Sequence, residues 1–107
     1  MKGDSIMEVV YQIRKMQFAK EDEIYSQKYM WVDTQAYRRL ESAWGKLGRV
    51  LKDFYIRHAE GEIRIDSIEI DPLCEMVTIF YISPFFEKHG VNHMTMYCYT
   101  IDHVTLW

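Results

Sequence analysis

The sequence has only two cysteines and no long hydrophobic run. Cys74 and Cys98 fit neither a CxxC pair nor zinc-finger spacing, and a domain of this length closes a core without a disulfide. The longest apolar run, Met76–Ile82, is too short to cross a bilayer. Asp4 and Glu8 interrupt the start, so no secretory signal is visible. These absences argue against a disulfide scaffold and a membrane protein, and they predict a cytoplasmic protein.

Motifs for the common enzyme chemistries are missing as well. The sequence has no nucleophile elbow, no glycine-rich phosphate loop and no dinucleotide fingerprint. Two histidines frame HGVNH at 89–93, but Gly90 should end any helix there and no Glu completes an HExxH motif. In an extended strand Cys98 points away from His93 and His103, which suits an inert core thiol. We therefore predict no catalytic residues, no metal ion, no cofactor and no enzymatic activity.

What the sequence does contain is typical of one globular domain. Of its 107 residues, 49% are hydrophobic and 27% are charged, which argues against a disordered chain. No repeat, linker or low-complexity segment divides it, so we expect a single domain over 1–107. Aromatic residues make up 15%, and because such side chains serve cores and binding faces equally well, their number does not separate the two.

The charge is unevenly divided along the chain. The net charge is −3, yet residues 1–58 carry eleven Lys or Arg against eight acids. Residues 60–75 carry six acids against Arg64 alone. A molecule divided in this way can attract partners of either sign through different surfaces.

The clearest predicted element is a helix over about 34–59. Asp33 or Thr34 can cap its start, and Gly61 can end it in a left-handed conformation. Two further glycines inside it cost about 1 kcal/mol each, and we expect the close approach of another element as compensation. The apolar stripe that defines the helix has spacings of three and four and consists of Tyr37, Leu40, Trp44, Leu47, Leu51, Phe54 and His58.

A second helix is predicted upstream. Ser5 and Glu8 have capping-box spacing, and apolar residues follow them at a helical period as far as Met16. The pattern decays at KEDE, residues 20–23, and then resumes. We interpret this segment as one helix, either continuous or broken in its middle. A strand over 8–14 is the alternative, because VVYQI is also β-prone.

Beyond the long helix the pattern changes to that of a sheet. The isoleucines of EIRIDSIEI at 62–70 change parity in the middle, so a bulge near Asp66 and Ser67 would keep one face apolar. Met76–Ile82 is apolar at nearly every position, as in a central strand covered on both sides. Residues 83–90 have the pattern of a short helical turn, and the rest of the chain is predicted to form one strand or two.

These elements predict an α+β fold. Two N-terminal helices, in a helical half of about 5–60, pack on one face of a three- to four-stranded, mainly antiparallel sheet from a C-terminal half of about 62–107. Because two helices cover one face only, part of the other face should bind a second copy of the chain or a different protein. Tyr- and Trp-rich patches suit the centre of an interface, and this aromatic sheet face consists of Tyr81, Tyr97, Tyr99 and Trp107.

Two charged surfaces are further candidates for binding. The acidic segment is more often solvated than functional, although it can imitate a phosphate backbone. The basic helix face is also most often an ordinary solvated surface, but it can bind nucleic acid. The acidic segment comprises Glu60, Glu62, Asp66, Glu69 and Asp71, and the basic helix face comprises Arg38, Arg39, Lys46, Arg49 and Lys52.

A protein-binding role is the first of three functional hypotheses. We expect a non-enzymatic protein that occupies the surface of a partner, as a small inhibitor, an immunity protein or a phage anti-defence protein does. The partner would be another protein, such as a nucleic-acid enzyme blocked by the acidic segment, and the chain is also a candidate homodimer.

The other two hypotheses involve nucleic acid and catalysis. A regulator that binds nucleic acid directly through the basic helix face is the alternative, which the acidic segment and the net charge of −3 make less favourable. The second alternative is a small nuclease or hydrolase that uses His58 with His93 or His103.

Overall fold

The structure contains more strands and fewer helices than the sequence predicts. A computed structural model describes residues 8–21, 24–83 and 94–106, which form five strands and one helix. In chain order these elements are β1 (Glu8–Glu21), β2 (Ile24–Tyr37), α1 (Leu40–Ala59), β3 (Arg64–Asp71), β4 (Met76–Ile82) and β5 (Met94–Leu106).

All five strands lie in one antiparallel sheet with the order β2-β1-β5-β4-β3. Strand β5 lies in the middle and pairs with β1 from Glu8 opposite Leu106 to Ala19 opposite Thr95. The other side of β5 pairs with the whole of β4. Strands β2 and β3 are therefore the two edges of the sheet.

The helix covers one face of the sheet, and the core lies between them. Phe54 of α1 meets the rings of Tyr81 and Tyr97 edge-on, with centroids 5.7 Å apart in both pairs. Because side chains alternate along a strand, the residues of β1, β4 and β5 that face the helix are the odd-numbered ones. The buried residues of this core are Ile13, Tyr37, Ala43, Leu47, Phe54, Ile63, Val77, Ile79, Tyr99 and Ile101.

The predicted N-terminal helix is wrong, because its residues form the β1–β2 hairpin. The prediction of two helices on a three- to four-stranded sheet from the C-terminal half is wrong for the same reason. The apolar residues of this segment, among them the adjacent Val9 and Val10, fit a helical period and a strand period nearly equally well. Pairing of β1 along β5 decides the outcome, and the β-prone alternative over 8–14 is confirmed.

Helix α1 ends where the sequence predicts but begins later. Residues 34–37 belong to β2, and α1 begins after Arg39, whose side chain makes no capping hydrogen bond. Neither predicted cap is used, and Asp33 Oδ1 instead accepts the backbone N–H of Gln35 at 3.1 Å. At the other end Gly61 has a φ of 80° and donates its N–H to the His58 carbonyl at 3.1 Å, so the left-handed end is confirmed.

The two glycines inside α1 do not mark a close approach. A Cβ at Gly48 would meet nothing within 4 Å, and one at Gly45 would meet only the Arg49 guanidinium at 3.8 Å. The expectation that another element packs there is therefore wrong. Burial of the opposite side of the helix offsets the propensity cost of both glycines.

The irregular alternation of β3 has the predicted cause. Its pairing with β4 shifts between Ile65 and Ser67, which leaves Asp66 as the extra residue of a bulge. Isoleucines on either side of the bulge consequently pair with helix-facing residues of β4, and one face of β3 stays apolar as predicted.

Most other predictions for the C-terminal half are confirmed. Strand β4 covers the predicted 76–82 and lies inside the sheet, and the last segment forms one strand. The expected cover on both faces of β4 is only partial in the described residues, because Thr78 and Phe80, which point away from α1, are half-buried. The helical turn predicted over 83–90 lies, beyond Ser83, outside the described residues. No helix that the described residues form is long and apolar enough to span a membrane.

Replacing Gly61 with Ala should destabilise the protein by about 1 kcal/mol, because an L side chain is strained at a φ of 80°. Gly48→Ala is the matched control, since it adds the same methyl group where nothing lies within 4 Å. That control should stabilise the protein by up to about 1 kcal/mol through helix propensity. Urea unfolding measures both changes, and effects of equal sign and size would contradict the left-handed end.

The His58 side chain joins the end of α1 to the start of β3, because its Nδ1 accepts the backbone N–H of Ile65 at 3.1 Å. His58→Ala should therefore cost about 1 kcal/mol, the usual net contribution of one such bond. In His58→Asn the side-chain oxygen is as many bonds from the backbone as Nδ1 is, so it can accept the same N–H. The loss of stability should therefore stay below about 0.5 kcal/mol. Equal losses in urea unfolding would show that the bond contributes nothing.

Candidate functional site: a cationic groove beside an exposed edge strand

Two residues of the acidic segment are used by the fold itself. The Glu62 carboxylate pairs with Arg57 at 3.3 Å. Asp71 Oδ1 accepts the backbone N–H groups of Leu73 at 3.1 Å and Cys74 at 3.0 Å in the turn between β3 and β4. The bond from Cys74 lowers the pKa of the Asp71 carboxyl below its usual value.

The other three residues of the acidic segment are exposed at different places. Glu60 follows the last turn of α1, and Asp66 is the extra residue of the β3 bulge. Glu69 pairs with Thr78, on the sheet face away from the helix. The structure therefore distributes the acidic segment over the helix end, the edge strand β3 and the following turn.

The two edges of the sheet differ in how open they are to a further strand. Strand β3 has eight residues, contains a bulge and carries charged residues at four positions. Short length, bulges and charges are the features by which natural edge strands prevent pairing. Strand β2 has fourteen residues, and over 29–32 it runs in regular register along β1. Pairing with a further strand is therefore hindered at β3 but not at the centre of β2.

The centre of β2 exposes large apolar side chains on both faces, and we call these four residues the apolar edge. Tyr29 and Trp31 point to the helix side, and Met30 and Val32 point to the other side. The exposed fractions are 59% for Tyr29, 54% for Met30, 43% for Trp31 and 48% for Val32. Four such residues in succession on an edge strand form a surface suited to a protein partner.

The aromatic sheet face lies beneath α1. Tyr99 is only 6% exposed, and Tyr81 and Tyr97 are half-buried beside Phe54. Burial raises the pKa of the Tyr81 and Tyr99 hydroxyls above the usual range. Trp107 lies outside the described residues. Among the strand residues that the structure describes, the most exposed aromatic rings belong instead to the apolar edge.

Of the basic helix face, two members come together at one site. Arg38 and Arg39 precede α1 and pair with carboxylates, at 3.5 and 2.8 Å respectively. Lys52 is exposed and lines neither of the cavities beside α1. Lys46 and Arg49, in contrast, line a groove between α1 and the sheet.

This groove, the cationic groove, consists of two adjoining cavities of about 360 and 370 Å³. Both are lined by Lys15 of β1, Lys46 and Val50 of α1, and Tyr99 of β5. Cations outnumber acids on the walls, which favours an anionic ligand. The charged lining residues are Lys15, Lys46, Arg49 and Arg57 against Asp33 and Asp53.

Three aromatic rings hold Lys15 in the groove. Its Nζ lies 4.6 Å from the ring centroid of Trp31, 4.8 Å from that of Tyr97 and 5.9 Å from that of Tyr99. Strand pairing explains this arrangement, because Trp31 on β2 and Tyr99 on β5 lie directly opposite Lys15. Ring faces attract a cation, so the ammonium group has a defined position. Sequence reasoning missed Lys15, since its neighbours become visible only when residues 8–21 form a strand.

The histidines that the structure describes do not share a site. His58 bonds to Ile65 at 3.1 Å, near the end of β4, whereas His103 Nε2 lies 2.8 Å from the Glu75 carboxylate, just before β4 begins. The two side chains are thus about 20 Å apart along that strand. His93 lies outside the described residues. Among the described side chains, no three of His, Cys, Asp or Glu come together as a metal site.

No protein-family model, curated protein or solved structure matches the chain. The apolar edge and the cationic groove are the two surfaces that indicate a function. The two surfaces adjoin, because Trp31 belongs to the apolar edge and also lines the groove.

Proposed function

We propose that the chain is a non-enzymatic, cytoplasmic protein-binding protein that associates through the apolar edge. The partner contributes a strand that pairs with β2 and extends the sheet, so that main-chain hydrogen bonds provide affinity and side chains provide specificity. The partner is a second copy of the chain, so the functional unit is a homodimer.

The observation that carries this proposal is the contrast between the two edges of one sheet. Charged residues and a bulge hinder pairing of β3 with a further strand, whereas the centre of β2 is regular and apolar on both faces. Exposed apolar area costs roughly 25 cal/mol per Å², and a strand placed beside β2 would cover such area on both faces at once. The difference supports a role for β2 that β3 does not have.

A second copy of the chain fits the apolar edge. A two-fold axis perpendicular to the sheet, midway between Met30 of one copy and Met30 of the other, makes β2 pair with itself in antiparallel fashion. Residues directly opposite each other then share a face, and Tyr29 of one copy meets Trp31 of the other. Aromatic cross-strand pairs of this kind contribute about 0.2 to 1 kcal/mol each. Over 29–31, apolar side chains meet apolar ones and no like charges are opposed.

The cysteines support the cytoplasmic part of the proposal. Cys74 and Cys98 are both free thiols, the first exposed and the second buried. Unpaired thiols are usual in a reducing compartment, where disulfides rarely persist. The acidic segment does not enter the proposal, because the carboxylates of Glu62 and Asp71 are already bonded within the fold.

Met30→Lys should disrupt the homodimer. Met30 lies at the centre of the apolar edge and is 54% exposed, so a lysine needs no room in the core of the monomer. In the dimer the two lysines would face each other as like charges, and we expect the dissociation constant to rise at least about a hundredfold. Sedimentation equilibrium over a range of protein concentrations measures this change.

Ile56→Lys is the matched control, since it places the same charge at an apolar residue of α1 that is 47% exposed. This variant should dimerise like the wild-type chain. Wild-type protein that stays monomeric at all concentrations would contradict self-association. If Met30→Lys and Ile56→Lys weaken dimerisation equally, the added charge causes the effect and the apolar edge does not.

A further inference from the structure

Three cations of the groove have no carboxylate partner among the described residues. Arg57, at one end of the groove, pairs with Glu62 at 3.3 Å. Lys15, Lys46 and Arg49 form no ion pair within the described ranges, although two aspartates line the same groove. Their charges are therefore available to a ligand.

The three cations approach the groove from two sides. Lys46 and Arg49 lie about one turn apart on α1, and Lys15 projects from β1 below them. Along α1 the wall from Lys46 to Arg57 is about 16 Å long, at 1.5 Å per residue. An anion between the helix and the sheet consequently meets ammonium and guanidinium groups from above and below, and the oxygens of a phosphate could accept charge-assisted hydrogen bonds from both sides.

The aromatic residues prepare the groove for a planar ligand. Because its neighbouring rings already hold the Lys15 ammonium, this side chain loses little freedom when an anion binds. Trp31 is stacked on Tyr29, with centroids 5.4 Å apart, and remains 43% exposed at the mouth of the groove. Exposed rings next to cations are the usual surface on which unpaired bases stack.

We propose that the cationic groove binds the phosphate and the base of a nucleotide, either free or within a single-stranded nucleic acid. The phosphate lies between Lys15, Lys46 and Arg49, and the base lies against Trp31. A duplex is disfavoured, because its bases are stacked inside and cannot lie against Trp31. This ligand site shares Trp31 with the apolar edge, but it is complete within one copy of the chain and does not require dimerisation.

The test is the binding of a fluorescently labelled single strand of about 12 nucleotides, followed by anisotropy at several salt concentrations. With one phosphate held between the three cations, the logarithm of the binding constant should fall with the logarithm of salt at a slope of about −0.7. Lys46→Glu combined with Arg49→Glu should weaken binding at least about tenfold. Lys15→Met keeps the apolar stem of the side chain but removes one of the three charges, and it should weaken binding less than the double variant does.

Lys52→Glu is the matched control, because it reverses the same charge on the same helix outside the groove. It should change the affinity by less than about twofold. Circular dichroism confirms that each variant is folded. An equal loss in Lys52→Glu, equal binding of poly-glutamate, or no binding of any nucleotide at low salt would each overturn the proposal.

Calorimetric titrations with a mononucleotide and with inorganic phosphate distinguish the two sources of the ligand. A mononucleotide that binds nearly as well as the oligonucleotide identifies a free nucleotide, and much weaker binding identifies a single strand. Inorganic phosphate that binds as tightly as the mononucleotide overturns the assignment of the base to Trp31.

Discussion

A single helix has to cover a sheet that is wider than the helix. Five strands about 4.8 Å apart span about 19 Å, whereas an α-helix with its side chains is about 10 Å across. Helix α1 buries Val77, Ile79 and Tyr99 together with Ile13 and Tyr37, but it leaves Lys15 and Trp31 of β1 and β2 partly open on the same face. The cationic groove is the space along this uncovered side, and the apolar edge is its outer border. Both surfaces therefore follow from one mismatch in width.

Strand β2 takes part in both surfaces. Trp31 lines the groove and belongs to the apolar edge, while the adjacent Met30 points to the opposite face of the sheet. A strand added beside β2 would cover the open side of Trp31 and raise the outer wall of the groove. Lys46 and Arg49 lie on the helix, away from such a strand, so the charges that attract an anion would remain in place. Trp31 therefore belongs to both binding surfaces, whereas the cations belong to the groove alone.

The parts of the fold that the sequence predicts correctly are those with local causes. The stripe of α1, its end at Gly61, the bulge at Asp66 and the strand over 76–82 each depend on a few adjacent residues. Strands β1 and β2 could not be predicted in this way, because their apolar residues fit two periods and a distant strand, β5, decides between them. The part of the cationic groove that lies on the sheet could not be predicted for the same reason. Lys46 and Arg49 can be recognised on one face of a predicted helix. Lys15 can be recognised as part of the groove only when Trp31 and Tyr99 are known to lie opposite it on two different strands.

The central position of β5 has a consequence for how the molecule folds. Glu8 pairs with Leu106, so the sheet joins residues near the two ends of the described chain. The β1–β2 and β3–β4 hairpins meet in the sheet only through β5, and neither can complete its inner edge before residues 94–106 are available. Contacts between such distant residues form slowly, because the intervening chain must first be closed into a loop. During synthesis the inner edges of β1 and β4 therefore stay unpaired until β5 has been made. In that interval chaperones can bind the unpaired edges.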